Sequence, residues 1–166
     1  MAQWLVNYFH LTIHDARAHR NEALAWSCLG GHLSVVKWLV EYFHLTARDA
    51  RDGNNRALQR SCEYGHLLVA QWLSQYFSLI ADDARTNNNY ALRCASINGH
   101  LLVVQWLVEH FGLTANDAQD ADAFQRSCKH GYLVLAQWLA LHFNLTVDDV
   151  RHNNNYVLRW SCINGH

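Results

Sequence analysis

Apolar and polar positions along this chain follow one pattern, written several times over. In the stretch 88–119, "NNYALRCASINGHLLVVQWLVEHFGLTANDAQ", Leu101, Val104, Leu107, Val108 and Phe111 fall at helical spacing, which predicts one buried stripe on a helix over 101–111. An Asn-rich segment precedes an apolar stretch at about 90–98, which predicts a second helix, with Asn89 at its cap position and Asn21, Asn55 and Asn155 holding the same place elsewhere. Gly99 separates the two helices. Gly112 stands where a left-handed residue ends a helix, and Leu113 where the accompanying hydrophobic contact folds back; Asn144 repeats that stop signal. Thr114 and Asp117 then form a Thr-x-x-acid pattern, the signature of a capping box, matched by Thr12/Asp15, Thr46/Asp49 and Thr146/Asp149. Ile80 replaces the threonine in one copy, so its cap is expected to be weaker. The motif "LTxxDAR" therefore reads as a short third helix. Nothing alternates with period two, so no β-sheet is expected.

The repeat is regular. Glycines at 31, 65, 99, 131 and 165 are separated by 34, 34, 32 and 34 residues, and Trp4, Trp38, Trp72, Trp106 and Trp138 keep the same step. Such a period indicates a solenoid, in which each unit contacts mainly its neighbours. A single array over 1–166 is expected: a half repeat at 1–20, repeats at about 21–54, 55–88, 89–120 and 121–154, and a half repeat at 155–166. The fourth unit is two residues short between Asp117 and Phe124, so Asp120 or Asp122 is expected to cap its first helix.

The residues "ALRCASINGHLLVVQWLVEHFG" resemble the two-helix core of an ankyrin repeat. Leu92 sits at the leucine of that family's Thr-Pro-Leu-His motif, and Ala95 and Ser96 at its two small positions. Gly99-His100-Leu101 matches the Gly-His-Leu turn, and Val103-Val104 with Trp106-Leu107 the Val-Val-x-Leu-Leu run. Thr-Pro-Leu-His itself is missing, and "LTxxDARxNNN" replaces the β-turn finger. The resemblance implies an all-α solenoid of stacked helix-turn-helix repeats. A tetratricopeptide array shares the period, but its Gly/Tyr/Ala spacing is missing.

Composition narrows the function. Hydrophobic residues make up 51% and charged residues 16%, with a formal net charge of -1. That balance offers no electrostatic footprint for nucleic acid, and no apolar run approaches the roughly 20 residues that span a bilayer. The first residues, "MAQWLVNYFHLT", lack the features of a signal peptide. Five cysteines without a disulfide framework suit a reducing setting, so an intracellular, cytoplasmic location is expected. Ankyrin-like arrays occur in eukaryotes, their large DNA viruses and intracellular bacteria; for the last two the setting would be the host cytoplasm.

Candidate chemistry is sparse. Cys28/His32, Cys62/His66 and Cys162/His166 share a Cys-x-x-x-His spacing, yet two ligands per unit do not close a zinc site, which needs about four. Small buried residues on the first helix account for the cysteines better. Asp15, Asp49, Asp83, Asp117 and Asp149 recur once per unit and so serve the unit's fold; a catalytic site needs dissimilar groups converging in one place. The sequon at Asn144 is explained by helix capping at Thr146. No catalytic residue, cofactor or metal is expected.

What differs between units is more telling. Two zones vary: the loop before the first helix, and the positions following that helix's apolar anchor, from Ala25-Trp26 to Arg159-Trp160. In ankyrin arrays these line the concave face, so the resemblance places Trp26, Gln59, Arg60, Arg93, Gln125, Arg126, Arg159 and Trp160 there as a face for a protein partner. The expected function is a non-enzymatic interaction module. The alternatives are a structural array that self-associates end to end through its half repeats, or part of a longer protein whose activity lies elsewhere.

Overall fold

The structure is a computed structural model. It describes residues 1–151 and 155–166 in full, and residues 152–154 only by their place in a helix. The helices are α1 (Ala2–Phe9), α2 (Ile13–Ala16), α3 (Ala18–Leu29), α4 (Leu33–Tyr42), α5 (Ala47–Glu63), α6 (Leu67–Phe77), α7 (Ala81–Ile97), α8 (Leu101–Phe111), α9 (Ala115–Asp120), α10 (Ala123–Lys129), α11 (Leu133–His142) and α12 (Val147–Ile163). No strand occurs among the described residues. The chain is an all-α solenoid.

Helix α8 occupies 101–111, as its apolar spacing predicts, with Val103, Val104, Leu107, Val108 and Phe111 buried. Leu101, expected in the stripe, is only partly covered. Gly112 closes the helix at φ 61°, and the Leu113 N–H donates to the Val108 carbonyl at 3.0 Å. His10, His44, Ser78 and Asn144 occupy the same left-handed stop in their units. Asp15, Asp49, Asp117 and Asp149 each accept from the backbone N–H and the hydroxyl of the threonine three residues before. Ile80 has no side-chain acceptor, so there only half of the exchange remains, from the Ile80 N–H to Asp83 at 2.9 Å.

The first helix of each unit, helix A, lies in the second part of α5 and α7. Inside both, the path leaves the right-handed helix. Gly53, Asn54 and Asn55, and likewise Asn87, Asn88 and Asn89, take φ between 52 and 63°, three consecutive left-handed residues between the short helix and helix A. His19, Arg20 and Asn21 do the same in α3. A left-handed turn costs ordinary L-residues about 1–2 kcal/mol each, least for Gly and Asn, which explains the Asn-rich composition. It also corrects the capping assignment. Asn21, Asn55 and Asn89 are buried, and each leaves its side-chain oxygen without a hydrogen bond. Two of their amides face forward instead: Asn21 Nδ2 donates to Asp52 at 3.1 Å and Asn55 Nδ2 to Thr86 at 2.9 Å. A cap residue needs extended backbone to turn its oxygen onto the following N–H groups; a left-handed one does not present it that way. In the shortened fourth unit the left-handed turn shrinks to Asp122 alone, at φ 50°. Asp122 makes no cap bond either, and its carboxylate accepts from Arg126 at 3.2 Å. Asn155, the fourth expected cap, is left-handed too, at φ 59°, and exposed; the side chains of 152–154 lie outside the described residues.

Successive A helices pack side by side, α3 on α5, α5 on α7, α7 on α10 and α10 on α12, while α4, α6 and α8 form the parallel B row. Leu24, Leu58, Leu92, Leu107, Leu135 and Leu139 fill the seam with almost no exposure. The tryptophans at 38, 72, 106 and 138 lie partly buried against this core.

Candidate interaction face and the bonds between units

Three sets of side chains join one unit to the next. The first is a ladder of charge pairs. Arg17 meets Asp49 through Nε–Oδ1 at 2.7 Å and Nη2–Oδ2 at 2.9 Å; Arg51 meets Asp83 and Arg85 meets Asp117 with the same two-bond geometry. Bidentate pairs of this kind are strong and directional. The Arg85 guanidinium, followed by the bonds from Thr114, holds the Asp117 carboxyl at about 2. Burial pushes Asp49 and Asp83 upward, but their arginine and backbone donors outweigh it and both lie below the usual range. Gln119 stands at the arginine position in the fourth unit. Reading one unit by itself does not reveal this ladder, although "DAR" recurs with the period of the repeat.

The second set explains the Gly-His turns. His66 Nε2 lies 2.8 Å from the Leu29 carbonyl, and His100 Nε2 3.1 Å from that of Glu63, each bonding back to the end of the preceding helix A. The ring thereby covers the preceding glycine: a Cβ on Gly31 would lie 2.4 Å from His66 Nδ1, and one on Gly65 2.6 Å from His100 Nδ1. Tyr132 covers Gly99 in the same way. The third set is amide to carbonyl, Asn98 to Glu63 at 2.9 Å and Asn164 to Lys129 at 2.7 Å.

The cysteines of the first three units serve packing, whereas Cys128 is partly covered and Cys162 exposed. Cys28, Cys62 and Cys94 are buried free thiols. Burial pushes Cys62 up to about 12 and Cys128 up to about 11, far from the thiolate that nucleophilic or ligand chemistry requires.

The outer residues of helix A are arranged differently. Trp26 is 56% exposed. Arg60 pairs with Glu63 at 2.6 Å, Arg93 lies 5.3 Å from the centre of the Tyr90 ring, and Arg126 pairs with Asp122. Each of these partners belongs to the same helix A or its first cap position. Arg159 is exposed, and Trp160 is half-buried with Lys129 Nζ 4.4 Å over its ring. Gln125 borders a shallow depression with Asp122, Arg126 and Tyr156. Gln59 is buried, its amide donating to the Asn54 carbonyl at 2.6 Å, so it supports the left-handed turn from inside. Trp26, Arg60, Arg126 and Trp160 occupy one register of successive A helices, with the buried Cys94 between them.

The model of the family described as ankyrin repeats (3 copies) matches residues 1–83. The chain belongs to the ankyrin repeat family. No curated protein matched it. Within the ankyrin pattern, Leu92, Ala95, Ser96, Val103, Val104 and Leu107 are all buried at 1% exposure or less. The departure from that pattern is also structural: a capped short helix and a left-handed Asn turn stand between the two-helix cores. No helix among the described residues is long and apolar enough to cross a membrane.

Proposed function

We propose that this ankyrin array is a non-enzymatic module that holds a protein partner on the concave face that ankyrin arrays form with their A helices. One observation carries the reading. The side chains that bind unit to unit recur in nearly every copy, whereas Arg60, Arg93 and Arg126 turn to residues of their own helix and vary in setting. They are therefore spare to the fold, and with Trp26, Gln125, Arg159 and Trp160 they supply the aromatic and arginine anchors that dominate interface energetics. Gln59 contributes from beneath. The free cysteines support a reducing, intracellular location.

Arg60, Arg93 and Arg126 are each half-buried, but none bonds to another unit, so replacing them together by alanine is expected to cost only about 1 kcal/mol or less each. Capture of a stoichiometric foreign protein by the wild-type chain, lost in the triple variant at unchanged helicity, supports the reading. A collapse of helicity would make these residues structural and remove the face.

Self-association is the second reading, favoured by apolar surface on α1 and α12: Trp4, Tyr8 and Phe9 are 54, 65 and 59% exposed, and Leu158 and Ile163 63 and 66%. A contact of α12 on α1 of another copy is heterologous and builds open filaments unless geometry closes it. Sedimentation over a wide concentration range is expected to show association that charged substitutions at Trp4 and Ile163 abolish. A strictly monomeric chain at high concentration eliminates it.

A further inference from the structure

The B helices carry an outward face of their own. In α4 its line is held by Ser34, Lys37 and Glu41, polar residues that suit a solvated helix. At the place of Ser34 the later B helices, α6, α8 and α11, hold Leu68, Leu102 and Val134, which are 69, 64 and 63% exposed. At the place of Lys37 they hold Gln71, Gln105 and Gln137, and at that of Glu41, Gln75, Glu109 and Leu141. None of these apolar residues belongs to the core, and Ser34 shows that the fold accepts a polar side chain at the first position. Three successive B helices therefore present apolar and amide groups where α4 presents charge, on the side away from the core.

The face is held rigid from beneath. Trp72 stacks on Tyr76 with ring centres 4.7 Å apart, Trp106 on His110 at 5.2 Å and Trp138 on His142 at 4.6 Å. The buried Ser74 hydroxyl lies 2.9 Å from His110 Nε2 and ties α6 to α8. Rings fixed in advance lose little freedom on contact.

Charge selects the occupant. The outward lines of α6 and α11 hold no Lys, Arg, Asp or Glu, and that of α8 holds Glu109 alone. An anionic lipid surface or an acidic partner is drawn by basic residues, which these lines lack. Glutamine amides both donate and accept, so the face complements itself. Along the array α8 follows α6 and precedes α11. When α8 crosses a second α8 antiparallel, Leu102 meets the second copy's Glu109, and α6 meets α11. The two Glu109 carboxylates then lie about 10 Å apart, where salt screens them. The spacing 102, 105, 109 is that of a helix-pairing seam. Helices about 16 Å long at 8–10 Å spacing outline roughly 400–500 Å² before side-chain relief is counted, close to the roughly 600 Å² per partner of a small specific interface.

We propose that two copies of the chain pair through this face, α8 against α8 antiparallel, as a closed two-fold dimer. The contact uses no residue of the A-helix face and neither α1 nor α12, so it stands apart from both readings above.

Sedimentation equilibrium of the full chain is expected to rise with concentration to the mass of two copies and level off. Leu102→Glu sets a carboxylate against the second copy's Glu109 and is expected to weaken the dimer about tenfold or more at unchanged helicity. Adding Glu109→Lys turns that repulsion into attraction and is expected to restore pairing. Leu102→Ser, which copies the residue of α4, is expected to weaken the dimer too and serves if Leu102→Glu misfolds. Ser34→Glu, outside the paired helices, is expected to leave it unchanged. Charged substitutions at Trp4 and Ile163 stop growth from α1 and α12 but leave this dimer, which tells the two kinds of association apart. A monomer at every concentration, growth beyond two copies in the Trp4 and Ile163 variant, undiminished pairing of a folded Leu102→Glu or Leu102→Ser protein, or no recovery on adding Glu109→Lys would each overturn the proposal. Docking of phosphatidylcholine vesicles, or of a foreign protein that Leu102→Glu releases, in place of the dimer would overturn it as well.

Discussion

Replacing Gly65 by alanine is expected to destabilise the array by about 2–5 kcal/mol, a large effect for one added methyl group. Two causes add. The backbone at Gly65 has φ 77°, where an L-residue costs about 1–2 kcal/mol. The new Cβ would also lie 2.6 Å from His100 Nδ1, and forcing extra volume into a packed site costs roughly 1–3 kcal/mol. His100 cannot swing aside freely, because its other nitrogen bonds the Glu63 carbonyl. A double-mutant cycle separates the two causes. In a His100→Ala background the steric part vanishes, and only the conformational part should remain when Gly65→Ala is added. Urea unfolding of the four proteins measures this. Strict additivity of the two substitutions would show that the ring does not press on the glycine.

The second large effect is expected from Asp83→Asn, at about 2–3 kcal/mol, against about 1 kcal/mol for Asp15→Asn. Both substitutions weaken a helix cap. Only Asp83 also receives the Arg51 guanidinium from the preceding unit, and it is buried while Asp15 is exposed. Equal losses for the two variants would mean that the arginine ladder contributes nothing. The ladder also predicts a pH dependence. Asp49, Asp83 and Asp117 have folded-state pKa values below their unfolded ones, Asp117 at about 2. Their stabilisation is therefore complete above the unfolded value near pH 4 and disappears as the pH falls through the folded values. For Asp117 this amounts to about 1–2 kcal/mol, reduced because Arg85 stays in contact with solvent. Thermal melts from pH 5 to pH 2 should show that loss, and Asp83→Asn should shrink it. An acid profile identical in wild type and variant would refute the assignment.

Features governed by close neighbours along the chain are legible from residue order alone. The stripe on α8, the Gly112 stop with Leu113 folded behind it, and the Thr-x-x-Asp boxes each lie where their pattern places them. The asparagines mislead for a physical reason: a cap and a left-handed turn favour the same residue type, and only three in a row, as at 87–89, tells them apart. The Arg–Asp ladder and the histidine covers are harder to see because each joins residues 32 or 35 apart. No local pattern signals them, and only the shared period of "DAR" and "GH" does. Of the candidate face, the exposed Trp26 and the same-helix arginines occupy positions that vary between units, whereas Gln59 is drawn inward by the Asn54 carbonyl.

That the bonds between units reach only one unit away also matters while the chain is being made. The side-chain bonds that cross from one unit to the next join residues 32 to 37 apart. Contacts so near in sequence favour rapid folding, because little loop-closure entropy precedes each one. As the polypeptide emerges from the ribosome, Asp49 follows Arg17 by one unit's length of synthesis, and His66 follows Gly31 by about the same. Each junction is then ready to lock before the next has been translated, so the array can grow unit by unit like a stack laid down one course at a time.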